Sequence, residues 1–327
     1  MTEAVLNKTG VNRYYFPGKA GREAVLKTLA YFDVFRYPLT AEEIRQFLGF
    51  CCKENELQVW LKELERQNLL FFIDGYYLLH RDPSLCERRK KGNEQAARLL
   101  EKAERIGRFL YRFPFVSAVG ISGSLSKNFA DEDADIDFFI ITRPNRLWIA
   151  RTLMHLYKKL TFLTGKQHYY CMNYYIDETA LQLDDKNIFA AVEIKTLLPV
   201  CGKEIMESFF SHNEWASNYL PACHYRQPSA ADPKRTWLKN LLQGLLANRA
   251  GDRLEKFFMQ LTQRRWNRKE EKGKLNIKGI TMGLISGKHF ARSNPGSLQE
   301  NVLNNYKQRV MELIRMHSNS VRVLLPL

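Results

Sequence analysis

Apolar residues recur along this chain at two spacings, and the change from one to the other marks the expected elements. From Gly21 to Tyr31, and again from Glu54 to Gln67 with Leu57, Leu61 and Leu64 on one face, they return every three or four positions. That is the period of an amphipathic helix. A helix opening at Thr40 lies between them. Thr40 and Glu43 have capping-box spacing, and Pro38 marks the turn before them. Leu69–Ile73 and Tyr76–Leu79 then read as short strands around Asp74-Gly75, a strong hairpin turn. Residues 1–20 read as a polar lead-in, and Arg81–Asn93 as a charged connector.

The middle of the chain alternates helices with nearly continuous apolar runs. Glu94–Arg112 has a helical apolar face, Phe115–Ile121 reads as a buried strand and Phe138–Thr142 as a second. Arg146–Leu163 is an expected helix ended by Gly165, and His168–Ile176 is a third, tyrosine-rich strand. Helices are expected at Asn187–Leu198, closed by Pro199, and at Lys203–Tyr219. Beyond Pro228 the spacing predicts helices over Trp237–Leu246, Asp252–Arg268 and Leu298–His317, with a Gly- and Lys-rich loop over Gly273–Gly296. The expected divisions are 1–92, 93–227 and 228–327.

The segment joining the first two central strands carries the chemistry. It contains Gly123-Ser124 and ends in Asp135-Ile136-Asp137. Alternate side chains on a strand share a face, so the two carboxylates are expected to point one way and Ile136 into the core. Paired anions need a cation between them. Hard oxygen ligands suit Mg²⁺, which takes one or two carboxylates together with phosphate oxygens. Glycine lets backbone approach a ligand, a turn after a strand presents N–H groups to anions, and the Ser124 hydroxyl adds a donor. Lys127 can reach a phosphate.

These residues resemble the DNA polymerase beta-like nucleotidyltransferase superfamily, in which a strand ending in Gly-Ser is followed, about ten residues on, by Asp-apolar-Asp. The resemblance covers Glu94 to roughly Lys203. It implies an α+β fold with a mixed sheet, and a nucleoside triphosphate substrate. Its β- and γ-phosphates would lie on Gly123 and Ser124, and Asp135 and Asp137 would bind Mg²⁺ and carry catalysis. It also implies a third carboxylate on the next core strand, where this chain has Asn173. Asparagine can offer an oxygen but cannot act as a base near neutral pH. Asp177, four residues further, lies past the site, and Glu193 on the following helix is the other candidate. The three helices and hairpin at the N-terminus resemble a winged helix-turn-helix module.

Charge changes the picture at the other end. The chain carries a formal net charge of +15, and from Pro228 onward 19 Lys+Arg face 7 Asp+Glu. Such an excess favours polyanionic partners, nucleic acid among them. Arg264-Arg265-Trp266-Asn267-Arg268-Lys269 is its densest stretch. No apolar run approaches the ~20 residues that span a bilayer, and none resembles a signal peptide. Six scattered cysteines without a Cys-x-x-Cys pair point to reduced thiols and a cytoplasmic setting. Zinc-spaced Cys/His clusters, the Gly-x-Ser-x-Gly elbow and the P-loop are absent from the sequence. Two functions remain: a Mg²⁺-dependent nucleotidyltransferase with an unidentified acceptor, or a nucleic-acid-binding regulator with a degenerate, nucleotide-sensing fold of that type.

Overall fold

The computed structural model describes residues 18–323 except 162, 164, 166, 229–231, 235, 276–278, 280 and 294–296. Most of the polar lead-in and parts of the Gly- and Lys-rich stretch lie outside the described residues.

The N-terminal unit follows its sequence pattern closely. Helices α1 (Gly18–Asp33), α2 (Ala41–Phe47) and α3 (Glu54–Arg66) precede a hairpin of β1 (Phe71–Ile73) and β2 (Tyr76–Leu78). Both halves of the capping box at α2 form: Glu43 N–H donates to Thr40 Oγ1 at 3.2 Å, and Thr40 N–H donates to Glu43 Oε2 at 2.9 Å. Asp74 and Gly75 take positive φ of 53° and 87°, as a tight hairpin turn requires. Leu57, Leu61 and Leu64 are fully buried against α1 residues such as Leu26 and Leu29.

The expected connector after the hairpin is helical instead. A single helix, α4 (Pro83–Leu110), runs through residues 92 and 93 without a break. Asp82 caps it by accepting the Ser84 N–H, and Pro83 occupies the first turn, where its missing N–H costs nothing. Its charged side chains are held by partners on other elements. Arg89 donates to Glu43 Oε1 at 2.6 Å and to the Pro38 carbonyl at 2.7 Å, and its guanidinium lies 3.8 Å from the Tyr37 ring centroid. Arg88 grips Asp131 through three bonds of 3.2, 3.0 and 2.9 Å. Gly92 survives inside the helix because the Phe129 ring packs on it, where a Cβ would collide.

Strands β3 (Val116–Ser122), β4 (Asp137–Thr142), β5 (Cys171–Asp177), β6 (Leu198–Cys201), β7 (Leu284–Ser286) and β8 (Phe290–Ser293) form one sheet in the order β6-β3-β4-β5-β8-β7. The sheet is mixed: β4 and β5 run parallel and the other neighbours antiparallel. Helices α5 (Leu147–Thr161), α6 (Ile188–Thr196) and α7 (Lys203–His212) connect its strands, and α8 (Trp237–Leu245), α9 (Arg249–Glu271) and α10 (Leu298–Val323) complete the chain.

Three expectations are corrected here. Pro199 lies in an edge strand rather than simply closing a helix, a place where its absent N–H is tolerated. Part of the expected Gly273–Gly296 loop is the β7–β8 hairpin, which covers the otherwise open edge of β5. The helix expected over Lys203–Tyr219 stops at His212. There Asn213 turns the chain by donating to the Leu181 and Phe209 carbonyls at 2.7 and 2.8 Å while accepting the Leu183 N–H.

Two cores flank the sheet. Phe138, Ile140 and Tyr175 pack with α4 and α5 on one face. Ala118, Phe139, Ile141 and Ile176 share the other cluster with α6, α7 and the N-terminal helices. The N-terminal unit therefore has no separate core; it is welded to the sheet by apolar burial, worth roughly 1.5–3 kcal/mol for each large side chain. Among the described residues no helix is long and apolar enough to cross a membrane.

Gly92→Ala tests this packing. Alanine favours a helix by about 1 kcal/mol over glycine, but overpacking typically costs about 1–3 kcal/mol. The expected result is a net loss of stability in urea unfolding, reduced when Phe129→Leu is added. A stabilised Gly92→Ala protein would show that α4 does not pack on Phe129.

Candidate active site

Strand β3 ends at Ser122, which pairs with Asp137 at the start of β4. Gly123 then turns the chain with φ +70°, a left-handed conformation, and a Cβ there would lie 2.5 Å from Asp137 Oδ2. Both backbone and space demand glycine at this position. A short 3-10 turn, Leu125–Lys127, follows and ends on left-handed Asn128. The Ser124 carbonyl accepts from Lys127 N–H at 2.9 Å and Phe129 N–H at 3.1 Å, and Ser126 Oγ donates to the Gly123 carbonyl at 2.8 Å. Ser124 itself is exposed at the turn. The turn is anchored to the N-terminal unit and α4: Tyr37 Oη donates to the Lys127 carbonyl, and Asn93 Nδ2 to the Asn128 carbonyl at 2.6 Å.

The two aspartates occupy different settings. Asp137 is the first residue of β4 and sits on the floor of a cleft, partly buried. Asp135 precedes the strand, on the other side of fully buried Ile136, and its Oδ1 lies 3.2 Å from His168 Nδ1. The expectation that both lie on one strand is met only by Asp137. Burial pushes the Asp137 carboxyl up to about 7; Asp135 and Glu193 add to the rise, against the Cys171 thiol and Lys127. Burial, and then Asp137, pushes the Cys171 thiol up to about 12, so it stays protonated at neutral pH.

Asn173 reaches the site through an irregularity. The β4–β5 register slips between Phe138 and Phe139, leaving Asn173 unpaired between Met172 and Tyr174. Such a bulge re-aims side chains. Asn173 and Tyr174 both line the cleft, and Asn173 Nδ2 donates to Asp137 Oδ1. Asp177 is elsewhere. It is fully buried at the far end of β5, accepting from Asn145 N–H at 3.0 Å, from Thr179 and from His289. Of the other carboxylates that line the cleft, Asp131, Asp185 and Glu193, the last is on α6 and its Oε1 receives Lys127 Nζ at 2.8 Å. Lys127 also donates to the Gly123 carbonyl at 2.9 Å, so it braces the turn.

The cleft has a volume of about 520 Å³ and is walled by several separate parts of the chain. The Gly123–Lys127 turn and β4–β5 form the floor, α6 one side, and Tyr31, Phe32, Phe35 and Tyr37 of the N-terminal unit the roof, with Leu298 and Gln299 of α10 at the edge. Sequence spacing gave no sign of Tyr31, Phe35 or Arg88, because nothing in a helix's own pattern says which distant strand it will face. The tyrosines of the third strand divide. Tyr174 lines the cleft, Tyr175 is buried in the opposite core, and Tyr169 lies under Lys102, 3.1 Å from its Nζ to the ring centroid. His155 is a packed residue, its pKa driven well below the ordinary value by burial.

Among the described residues no three His, Cys, Asp or Glu side chains converge as a ready metal cage. The donor set is instead two half-buried carboxylates, Asp137 and Asp135, and an amide. That suits a cation completing its shell with phosphate oxygens. Residues 100–198 match the family model of the nucleotidyltransferase domain. The match spans β3 to α6 and contains Gly123, Ser124, Asp135, Asp137, Asn173 and Glu193, so the middle of the chain is similar to a nucleotidyltransferase domain. No curated protein and no solved structure matches the chain.

The displaced pKa of Asp137 makes a pH prediction. The folded value of about 7 lies above the ordinary 3.8, so the fold holds this proton more tightly than the unfolded chain does. Its contribution to stability is full below about pH 4 and is lost as pH rises through 7. Asp137→Asn cannot ionise. Without divalent cations it should be more stable than the native protein at pH 8 and lack part of the native decline between pH 4 and 7. Parallel pH–stability curves for the two proteins would contradict this.

Proposed function

We propose that this protein is a Mg²⁺-dependent nucleotidyltransferase that moves a nucleoside monophosphate from a nucleoside triphosphate to an acceptor. The observation that carries this reading is the close approach of Gly123 to the half-buried, proton-retaining Asp137, flanked by Asp135. A carboxylate strained in this way gains when a cation replaces its proton. Asp135 and Asp137 would hold Mg²⁺, with the Asn173 oxygen as a third donor after rotation of its amide. When bound, the ion supplies charge neutralisation for the phosphates. The open turn at Gly123 and Ser124 presents backbone and a hydroxyl to the β- and γ-phosphates. Lys127 would act indirectly, by bracing that turn. The acceptor hydroxyl attacks the α-phosphorus; the new O–P bond forms as the bond to the pyrophosphate oxygen breaks. The acceptor proton passes to Glu193, the carboxylate on the cleft wall, and then to solvent.

The N-terminal unit has the element order of a winged helix, including a β-bridge from Leu39 to Tyr77. We read it as a wall of the cleft rather than a DNA reader. Helix α3, in the recognition position, carries four glutamates against one lysine and one arginine, an unfavourable charge for phosphate backbone.

Labelled nucleoside triphosphates incubated with the protein, Mg²⁺ and a cell extract provide the test. The expected result is pyrophosphate release with the α-phosphate retained on a product, lost in Asp135→Asn and Asp137→Asn while both proteins stay folded. Transfer that survives in either variant would place the chemistry elsewhere.

A nucleic-acid partner is supported by a separate observation. Arg264, Arg265 and Arg268 are exposed on α9. Lys269 beside them has its pKa lowered by burial and by the convergence of Lys274, Arg151, Arg265 and Lys159. Positive side chains from α5 and α9 thus crowd one patch. If it binds RNA or DNA, affinity should fall steeply with salt as counterions are released. Reversing Arg264, Arg265, Arg268 and Lys269 to Glu should flatten that slope and leave nucleotide binding intact. Absence of binding at low salt would assign the charge to solvated surface.

A further inference from the structure

We infer that the aromatic half of the cleft is the acceptor pocket, and that it takes an uncharged small molecule with an aromatic or apolar body and a transferable hydroxyl. This rests on the nucleotidyltransferase reading above and adds the class of acceptor.

Charge excludes a phosphate from this half. Three cations line the cleft, and each is paired with a carboxylate that lines it too: Arg88 with Asp131, Lys127 with Glu193 and Arg292 with Asp185. Asp137 keeps much of its proton at neutral pH, so among the described residues the lining offers a phosphate no unpaired positive charge. A triphosphate lying there would displace existing ion pairs, so its place is the exposed turn at Ser124. The remaining walls are aromatic. Phe139 and Tyr174 form the floor with ring centroids 5.2 Å apart, Phe209 lies 4.9 Å from Phe139, and Phe35 and Phe189 close the sides. Planar apolar surfaces of this kind are matched by rings or hydrocarbon.

One polar group inside this half is unspent. Tyr31 is 3% exposed and lines the cleft, and its hydroxyl has no hydrogen-bond partner among the described residues. A buried hydroxyl without a partner is costly; it is closed to solvent here, and a small turn of the Tyr31 ring toward the cleft would let a ligand oxygen or nitrogen satisfy it. The position of Glu193 on the same wall makes this the acceptor's side rather than the nucleobase's. An acceptor hydroxyl entering from the aromatic half meets Glu193 and Asp137 together.

The test is calorimetric titration of the full chain with 2-naphthol, an uncharged aromatic hydroxyl, alone and in the presence of Mg²⁺ and α,β-methylene-ATP, which cannot be turned over at the α-phosphorus. The expected result is saturable binding at one site, additive with the nucleotide. Tyr31→Phe, which removes one oxygen and keeps the ring, should weaken naphthol about fivefold and leave nucleotide affinity unchanged. Phe35→Ala, at the partly exposed mouth, should weaken naphthol as well. No saturable binding, or binding indifferent to both substitutions, overturns the pocket. Mutual exclusion of naphthol and nucleotide overturns its assignment to the acceptor and gives it to the base. If naphthol binds and the nucleotide does not, the apolar pocket stands and the nucleotidyl-transfer reading fails.

Discussion

A carboxylate at 137 and a side chain at 123 cannot share the space they occupy. Gly123 solves this twice over, by lacking a Cβ where Asp137 Oδ2 sits 2.5 Å away and by accepting φ +70°. The turn that follows and the floor of the cleft are therefore one construction. Its consequence is electrostatic. Pressed under the turn, with Asp135 and Glu193 nearby, Asp137 retains a proton to about pH 7. A group in that state has two ways to lose its cost: to keep the proton, or to exchange it for a cation. The second is what a phosphate-bearing metal complex offers, so local strain and nucleotide chemistry point to the same place.

The rest of the chain holds this construction still. Helix α4 carries Gly92 under Phe129, Asn93 under Asn128 and Arg88 onto Asp131, three contacts along the loop between the Gly-Ser turn and the aspartates. The same helix binds the N-terminal unit through Arg89. Because that unit shares a hydrophobic core with one face of the sheet, α1 and the turn after it close over the cleft and contribute Tyr31 and Phe35 to it. Helix α10 reaches the same corner, where Tyr306 meets Tyr31 edge-on at 5.8 Å and Arg309 pairs with Asp33. A site whose motif is short is thus walled by residues as far apart in the chain as Tyr31 and Gln299.

The parts legible in the sequence are those set by local physics. The capping box at Thr40, the Asp-Gly hairpin, the apolar strands and the Gly-Ser turn each depend on a few neighbouring residues. The parts that were hidden depend on tertiary contacts. Asp135 has the right parity but falls before the strand begins. Asn173 reaches Asp137 because β5 bulges there, and parity counted along the sequence cannot register a bulge. Glu193 was recognisable as a candidate, but its facing depends on how α6 packs. Pro199 and the two short strands of the β7–β8 hairpin gave weak local signals, and pairing with a sheet edge made them strands. The charged run before Asn93 looked like a connector because its partners, Glu43, Asp131 and Asp74, lie on other elements.

The central claim is that Asp137, with Asp135, forms half of a cation site that a nucleotide's phosphates complete. Electron paramagnetic resonance of Mn²⁺, substituted for Mg²⁺, reads this directly through the loss of the free-ion signal. The account predicts weak Mn²⁺ binding by the protein alone, since no three-carboxylate cage is present among the described residues. It predicts strong binding when α,β-methylene-ATP is added, beyond that of the nucleotide by itself, and loss of the enhancement in Asp137→Asn. Enhancement that persists in that variant, or Mn²⁺ binding that the nucleotide does not change, would contradict it.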